Sequence, residues 1–104
     1  MKIQINADNH IKAHEEMALQ AEAVVERTLG HLAEHITRVE VHLSDENSKK
    51  GGSADKRCMM EARFERHQPI AVTHEAETIA QAIDGAADKL KSSLDHTLAR
   101  LRNR

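Results

Sequence analysis

The stretch ETIAQAIDGAADKLKSSL, from Glu77 to Leu94, decides the fold because its apolar residues recur at helical spacing. The apolar stripe continues almost to the end of the chain, through Ile79, Ile83, Ala86 or Ala87, Leu90, Leu94, Leu98 and Leu101. This pattern predicts a long amphipathic helix that begins near Glu77. A helix of this kind must bury its stripe against another apolar surface, which the preceding sequence is expected to supply.

An earlier segment, from about His14 to Ile36, has the same periodicity and predicts a first long helix. Its stripe comprises Met17, Ala21, Val24, Val25, Thr28, Leu29, Leu32 and Ile36. Glu15 and Glu16 lie in the first turn, where negative charge suits the helix dipole. Gly30 is an interior weak point, which costs about 1 kcal/mol relative to alanine.

Four segments alternate with a period of two and predict strands: KIQINA (2–7), TRVEVHLSD (37–45), RCMMEARFE (57–65) and PIAVTH (69–74). The residues expected to point inward are Ile3, Ile5, Val39, Val41, Leu43, Cys58, Met60, Ala62 and Phe64. The polar segment 46–56, with its Gly-Gly pair, predicts a loop that is long for a hairpin connection.

The predicted order is therefore β-α-β-β-β-α, without an internal repeat. Two helices that each bury one stripe need a common partner, and a four-stranded sheet with one apolar face supplies it. The first strand can pair in parallel only through a crossover, and the first helix is that crossover. We expect an α+β, two-layer fold with both helices on one face of the sheet, and a single domain over residues 1–104.

Composition limits the function further. The 104 residues carry a formal net charge of -2 and include one Phe, no Trp and no Tyr, which removes the aromatic platforms that stack single-stranded bases. The single cysteine, Cys58, cannot form an internal disulfide, so a cytoplasmic location is expected. We find neither the apolar core of a signal peptide nor a stretch long enough to span a membrane.

The near-neutral total hides a segregation of charge. Residues 14–36 contain five acidic residues and one basic residue, a net charge of -4. Residues 89–104 contain five basic residues and one acidic residue, a net charge of +4. These basic residues either are solvated at the C-terminal end of a helix, where cations suit the helix dipole, or form a patch that neutralises phosphates. Loop residues Lys49, Lys50, Lys56 and Arg57 either extend that patch or belong to a solvated loop.

The residue patterns do not support an enzyme, a cofactor or a metal site. His31 and His35 share the four-residue spacing of a helical metal site, but no cysteine or HExxH pattern accompanies them. Cys58 alternates inward with other apolar residues, which favours packing over reactivity. The pair Gly51-Gly52 is not followed by the lysine and helix of a phosphate-binding loop.

Three segments carry a resemblance to a known family: KIQINADNHIK (2–12), LAEHITRVEVHLS (32–44) and AETIAQAIDGAADKLKSSL (76–94). The chain resembles the short ribosome hibernation-promoting factors, which include ribosome-associated inhibitor A and are also labelled sigma-factor modulation proteins. The steps Ala82-Ile83-Asp84 and Asp88-Lys89-Leu90 match the second helix of that family without a gap. Ser92 and His96 stand where the family commonly has basic residues.

The resemblance implies a fold similar to double-stranded RNA-binding domains and a stress-response factor that binds the small ribosomal subunit. Such a factor contacts ribosomal RNA near the decoding region and inhibits translation sterically, without a small-molecule substrate or a membrane. It would be a monomer or a weak homodimer. The predicted RNA contacts are Lys89, Lys91, Arg100, Arg102 and Arg104, with Lys2, Lys12 and Arg38 as weaker candidates.

Two alternatives remain open from the sequence. The acidic first helix favours a protein-interaction or regulatory module that binds a basic partner. The pair of histidines at positions 31 and 35 favours, more weakly, a module that responds to metal or pH.

Overall fold

The computed structural model describes residues 1–8, 11, 14–45 and 55–102. Over these residues the strands are β1 (Lys2–Ala7), β2 (Arg38–Asp45), β3 (Lys56–Arg63) and β4 (Ile70–Ala76). The helices are α1 (His14–Leu29), a short 3₁₀ helix (Gly30–His35) and α2 (Ile79–Arg102). Within the described ranges, no helix combines the length and apolar character needed to cross a membrane.

The four strands form one sheet in the order β1-β2-β3-β4. β1 runs parallel to β2, with Ile3 opposite Val39, and α1 makes the crossover that this pairing requires. β2, β3 and β4 are antiparallel neighbours. The predicted element order, the four-stranded sheet and the crossover through the first helix are therefore confirmed.

One face of the sheet is apolar and both helices cover it. Val39, Val41 and Leu43 on β2 are buried, and Cys58, Met60 and Ala62 on β3 are buried beside them. From the helices, the largest buried side chains are Val25, Leu29, Ile83, Leu90 and Leu94. The sheet and the two helices therefore form two layers around one core. This is the two-layer fold that the alternating strands and the apolar stripes of the helices predicted.

Cys58 lies fully inside this core. Burial raises the pKa of its thiol to about 12, because the thiolate loses its hydration there. The side chain therefore stays protonated at neutral pH and packs as a small apolar group.

The first helix differs from its prediction at its C-terminal end. The α-helix ends at Leu29 rather than near Ile36, and the chain tightens into the 3₁₀ helix. Ile36 is already extended, with φ -105° and ψ 123°. Gly30 weakens the α-helix at this point, and the three-residue step from Leu29 to Leu32 suits the 3₁₀ period as well as the α-helical one. Both leucines are buried, so the apolar spacing did not distinguish an α-helix from a 3₁₀ helix.

The second helix begins at Ile79 because Thr78 caps it. The hydroxyl of Thr78 accepts a hydrogen bond from the Gln81 backbone N–H at 3.1 Å. A threonine side chain in this position satisfies one of the amide groups that the first helical turn leaves free.

Gly85 allows α2 to lie directly against β4. A Cβ atom at this position would come within 2.1 Å of Cδ2 and 2.3 Å of Nε2 of His74. His74 faces inward on β4, opposite the buried Cys58 of β3. The absence of a side chain at Gly85 therefore sets how closely the helix approaches the edge of the sheet.

We expect Gly85→Ala to lower the free energy of unfolding by about 1–3 kcal/mol, because the new methyl group collides with the His74 ring. This loss outweighs the roughly 1 kcal/mol that alanine gains in helix propensity. Urea denaturation followed by circular dichroism measures the difference.

Gly30→Ala is the matched control, because a Cβ atom there meets no atom within 4 Å. Its stability should be unchanged or raised by up to about 1 kcal/mol. Equal stability of the two alanine variants would contradict the proposed contact.

Candidate nucleic-acid interface

The four described basic residues of α2 lie in two rows rather than in one patch. Lys89 and Arg100 are separated by about three turns, or roughly 16 Å, and so are Lys91 and Arg102. At 100° per residue, the two rows are about 160° apart around the helix axis. The buried stripe, with Leu90 at its centre, lies between them.

The first row faces β4. The backbone carbonyl of Thr73 accepts a hydrogen bond from Lys89 Nζ at 2.9 Å, which places this side of α2 over the edge strand. His96 and Arg100 continue the row and are exposed. We call Lys89, His96 and Arg100 the β4-side row. Within the described part of the chain, no ion pair joins any of the three to a carboxylate.

The second row, Lys91 and Arg102, faces the 3₁₀ helix and is partly neutralised. Lys91 Nζ lies 3.2 Å from Asp95 Oδ2, and His31 Nε2 lies 3.2 Å from Asp95 Oδ1. Partial burial by itself raises the pKa of Asp95, but the hydrogen bonds to His31 and Lys91 lower its pKa, and the net result lies below 3.8. Asp95 is therefore ionised at neutral pH and offsets the charge of Lys91.

The weaker candidates on the sheet lie on its outer face, away from the helices. Lys2 and Arg38 are opposite each other in the register of β1 and β2. Arg38 donates to Gln4 Oε1, and its Nε lies 4.0 Å from Glu40 Oε2. Its Nε is buried and has no hydrogen-bond partner in the described structure. Lys2 is exposed at the edge of the sheet.

The charges beside Arg38 balance one another. Arg63 lies next to it on β3, and its Nε is 2.9 Å from Glu61 and 3.5 Å from Glu40. Two arginines therefore face two glutamates, so these four side chains together carry no net charge.

Several sequence-predicted basic residues lie elsewhere. Lys12 and Arg104 fall outside the described residues, as do Lys49 and Lys50 of the loop. Lys56 is described, and its Nζ lies 2.8 Å from Asp55 and 3.3 Å from Asp45. These carboxylates neutralise Lys56, so it does not extend the β4-side row.

His31 and His35 do not share a helical face, which corrects the interpretation of their spacing. Both belong to the 3₁₀ helix, where residues four apart are rotated by about 120°. His31 contacts Asp95, whereas His35 Nε2 lies 3.8 Å from Glu34. Among the residues that the structure describes, no three metal-ligating side chains come together.

The structure brings residues close to the β4-side row that the sequence patterns did not indicate. The turn between β3 and β4 carries Arg66 and His67, and His67 lines a cavity together with Arg100 of α2. The imidazole of His67 stacks on Phe64, with ring centroids 4.7 Å apart and an interplanar angle of 17°. No sequence pattern indicated a role for Arg66 and His67, because the proximity of this turn to α2 depends on the packing of the whole fold.

The solvent side of α1 has the opposite charge. Glu15, Glu16, Glu22 and Glu26 are all exposed on this helix. Leu19 lies among them with 68% of its surface exposed. This acidic face is the surface that the protein-interaction alternative requires.

The sequence matches the family model for sigma 54 modulation protein / S30EA ribosomal protein over residues 3–102. The fold is similar to that of a ribosomal subunit interface protein from Coxiella burnetii, with 16% identity and a TM-score of 0.69 over 95% of this chain and 99% of that one. It is also similar to the N-terminal domain of protein Y from Thermus thermophilus, with 20% identity and a TM-score of 0.64 over 93% of this chain and 99% of that one. No curated protein matches the sequence.

The contacts of Asp95 with His31 and Lys91 predict that the free energy of unfolding decreases at acidic pH. Because the pKa of Asp95 is lower in the folded state, its contribution is fully present above pH 3.8 and is lost as the pH falls through the folded pKa. The partners are exposed, so the loss should not exceed about 1 kcal/mol. Urea denaturation over a series of acidic pH values measures this loss.

Asp95→Asn should remove this part of the pH dependence. Asp88→Asn changes another exposed carboxylate of α2, one without an ion pair in the described structure, and should keep the wild-type profile. The assignment is wrong if Asp95→Asn becomes less stable on acidification by the same amount as the wild type.

Proposed function

Because the chain belongs to the sigma 54 modulation protein / S30EA ribosomal protein family, we propose that it is a ribosome-associated factor. It binds ribosomal RNA of the small subunit near the decoding region and inhibits translation under stress by occupying that space. The mechanism is steric, so binding alone produces the effect and no bond is made or broken.

The observation that carries this proposal is the β4-side row. Three side chains that carry or can gain positive charge follow one side of α2 over about three turns, without a paired carboxylate among the described residues. RNA is contacted largely through its phosphates and its shape, and such contacts need cations along an accessible ridge. Lys89 is held in place by Thr73, which reduces the entropy lost when it binds a phosphate.

The second row supports the interface less strongly. Lys91 is already paired with Asp95, so its transfer to a phosphate would give up an existing interaction. Arg102 is exposed and has no ion pair in the described structure, but it lies on the opposite side of the helix from Arg100. We therefore assign the main RNA contacts to Lys89 and Arg100, and smaller contributions to Lys91 and Arg102.

A protein-interaction module is the second candidate, and the acidic face of α1 favours it. Four exposed glutamates surround an exposed Leu19, an arrangement that suits a partner with basic and apolar side chains. A pull-down with this protein distinguishes the two functions: a protein partner that stays bound after nuclease treatment would favour the module.

We expect the protein to co-sediment with purified ribosomes at low salt, and Lys89→Ala/Arg100→Ala to weaken this binding. Each lost phosphate contact should reduce the salt slope of the affinity by about one unit, so this variant should lose about two. Co-sedimentation at several salt concentrations gives the slope.

Lys91→Ala/Arg102→Ala is the matched control, because it removes the same charge from the same helix. It should lose less than half as much of the salt slope. Equal losses in the two variants would show that overall charge, not the β4-side row, drives binding. Failure of the wild type to co-sediment at low salt would refute the proposed function.

A further inference from the structure

A notch lies between the end of α2 and the turn that joins β3 to β4. Its volume is about 250 Å³, and it is lined by His67, Thr97, Arg100 and Leu101. A second depression of about 450 Å³ adjoins it and is lined by Arg66, His67, Gln68 and Pro69. None of these described lining residues is acidic, so the notch combines polar donors with positive charge.

His67 is held in one orientation on the wall of this notch. It stacks on Phe64, and its Nδ1 lies 2.7 Å from the backbone carbonyl of Gln68. A carbonyl oxygen can only accept a hydrogen bond, so Nδ1 carries the proton. Nε2 is then the nitrogen left for a ligand, and it becomes a donor when the imidazole takes up a second proton.

Arg66 adopts an unusual backbone conformation beside His67. Its φ is 63°, in the left-handed region that non-glycine residues rarely occupy. Such a conformation costs on the order of 1–3 kcal/mol, and residues that adopt it occur in tight turns and at functional sites. Here it belongs to the turn that places His67 against the end of α2, with Arg66 in the adjoining depression.

We propose that this notch binds one phosphate group of the RNA backbone. Arg100 supplies the permanent charge, the protonated imidazole of His67 supplies a second charged donor, and Thr97 supplies a hydroxyl group. Leu101, which is 38% exposed, offers an apolar surface for the adjoining ribose. The inference rests on the proposed function and extends the RNA contact from α2 to the β3–β4 turn.

Binding should be coupled to protonation, because a phosphate at Nε2 favours the charged imidazole. The described charged and titratable groups around His67 are Arg66 and Glu65 in its own turn and Arg100 on α2. Glu34 and His35 of the 3₁₀ helix line the neighbouring depression beside Phe64. Affinity should therefore rise as the pH falls from weakly basic to weakly acidic. For binding of an oligonucleotide, His67→Gln should remove this pH dependence, because the glutamine amide cannot gain a proton.

The first test titrates the full chain with dimethyl phosphate, a diester like those of the RNA backbone that keeps a single negative charge over this pH range, and follows the imidazole and guanidinium signals by NMR at constant ionic strength. We expect saturable shifts of His67 and Arg100, stronger at weakly acidic pH, and no such shifts with chloride. His67→Gln and Arg100→Gln should each abolish saturation. Arg27→Gln, which changes an exposed arginine of α1 outside the proposed interface, should bind phosphate as the wild type does.

A second titration with a short oligouridine identifies the source of the phosphate. His67→Gln should weaken oligonucleotide binding about tenfold, the factor that corresponds to about 1.4 kcal/mol. Phosphate binding without this loss would contradict the assignment of the ligand to RNA. The absence of saturable shifts with both probes would contradict the proposal that the notch binds a phosphate group.

Two further controls keep these outcomes clear. Urea denaturation of His67→Gln shows whether loss of the stacking on Phe64 unfolds the turn, whereas Arg100→Gln changes an exposed side chain and leaves that contact intact. Ribosome co-sedimentation of the wild type tests the proposed function separately. If the protein is retained on ribosomes but its NMR signals do not shift with phosphate, the notch is not a phosphate site, and the proposed function still holds.

Discussion

The burial of α2 against one face of the sheet is the constraint on which the rest of the structure depends. Leu90 and Leu94 are fully buried, and Gly85 lets the helix backbone approach His74 on the edge strand. Once this side of the helix is buried, the residues on either side of the buried stripe reach solvent on opposite sides of α2. Packing therefore divides the basic residues of α2 into one row over β4 and one row beside the 3₁₀ helix.

The surroundings of each row then decide its charge. Lys91 meets Asp95 one turn along the helix, and His31 supports the same carboxylate from the 3₁₀ helix. Lys89 instead meets a backbone carbonyl of β4, which fixes its position without removing its charge. Two lysines separated by a single residue thus differ in what they can offer a polyanion, although their side chains are chemically identical.

Much of the fold was predictable because each strand and helix has a short-range signature. The alternation Val39, Val41, Leu43 identified the buried face of β2, and the Ile83 to Leu94 stripe identified that of α2. The 3₁₀ helix was missed because the step from Leu29 to Leu32 fits both helical periods. The site was harder to predict: Thr73 is distant in sequence from Lys89, His67 is distant from Arg100, and only tertiary packing brings each pair together.

The segregation of charge gives the domain a preferred orientation toward a polyanion. The exposed glutamates of α1 would be repelled by phosphates, whereas the β4-side row would be attracted. With a formal net charge of only -2, the protein has little long-range attraction to nucleic acid as a whole. On the proposed function, tight binding then requires an RNA surface that meets the end of α2 and the β3–β4 turn while the acidic helix stays in solvent. Near-neutrality in this chain thus favours shape-selective binding over the indiscriminate binding of a uniformly basic surface.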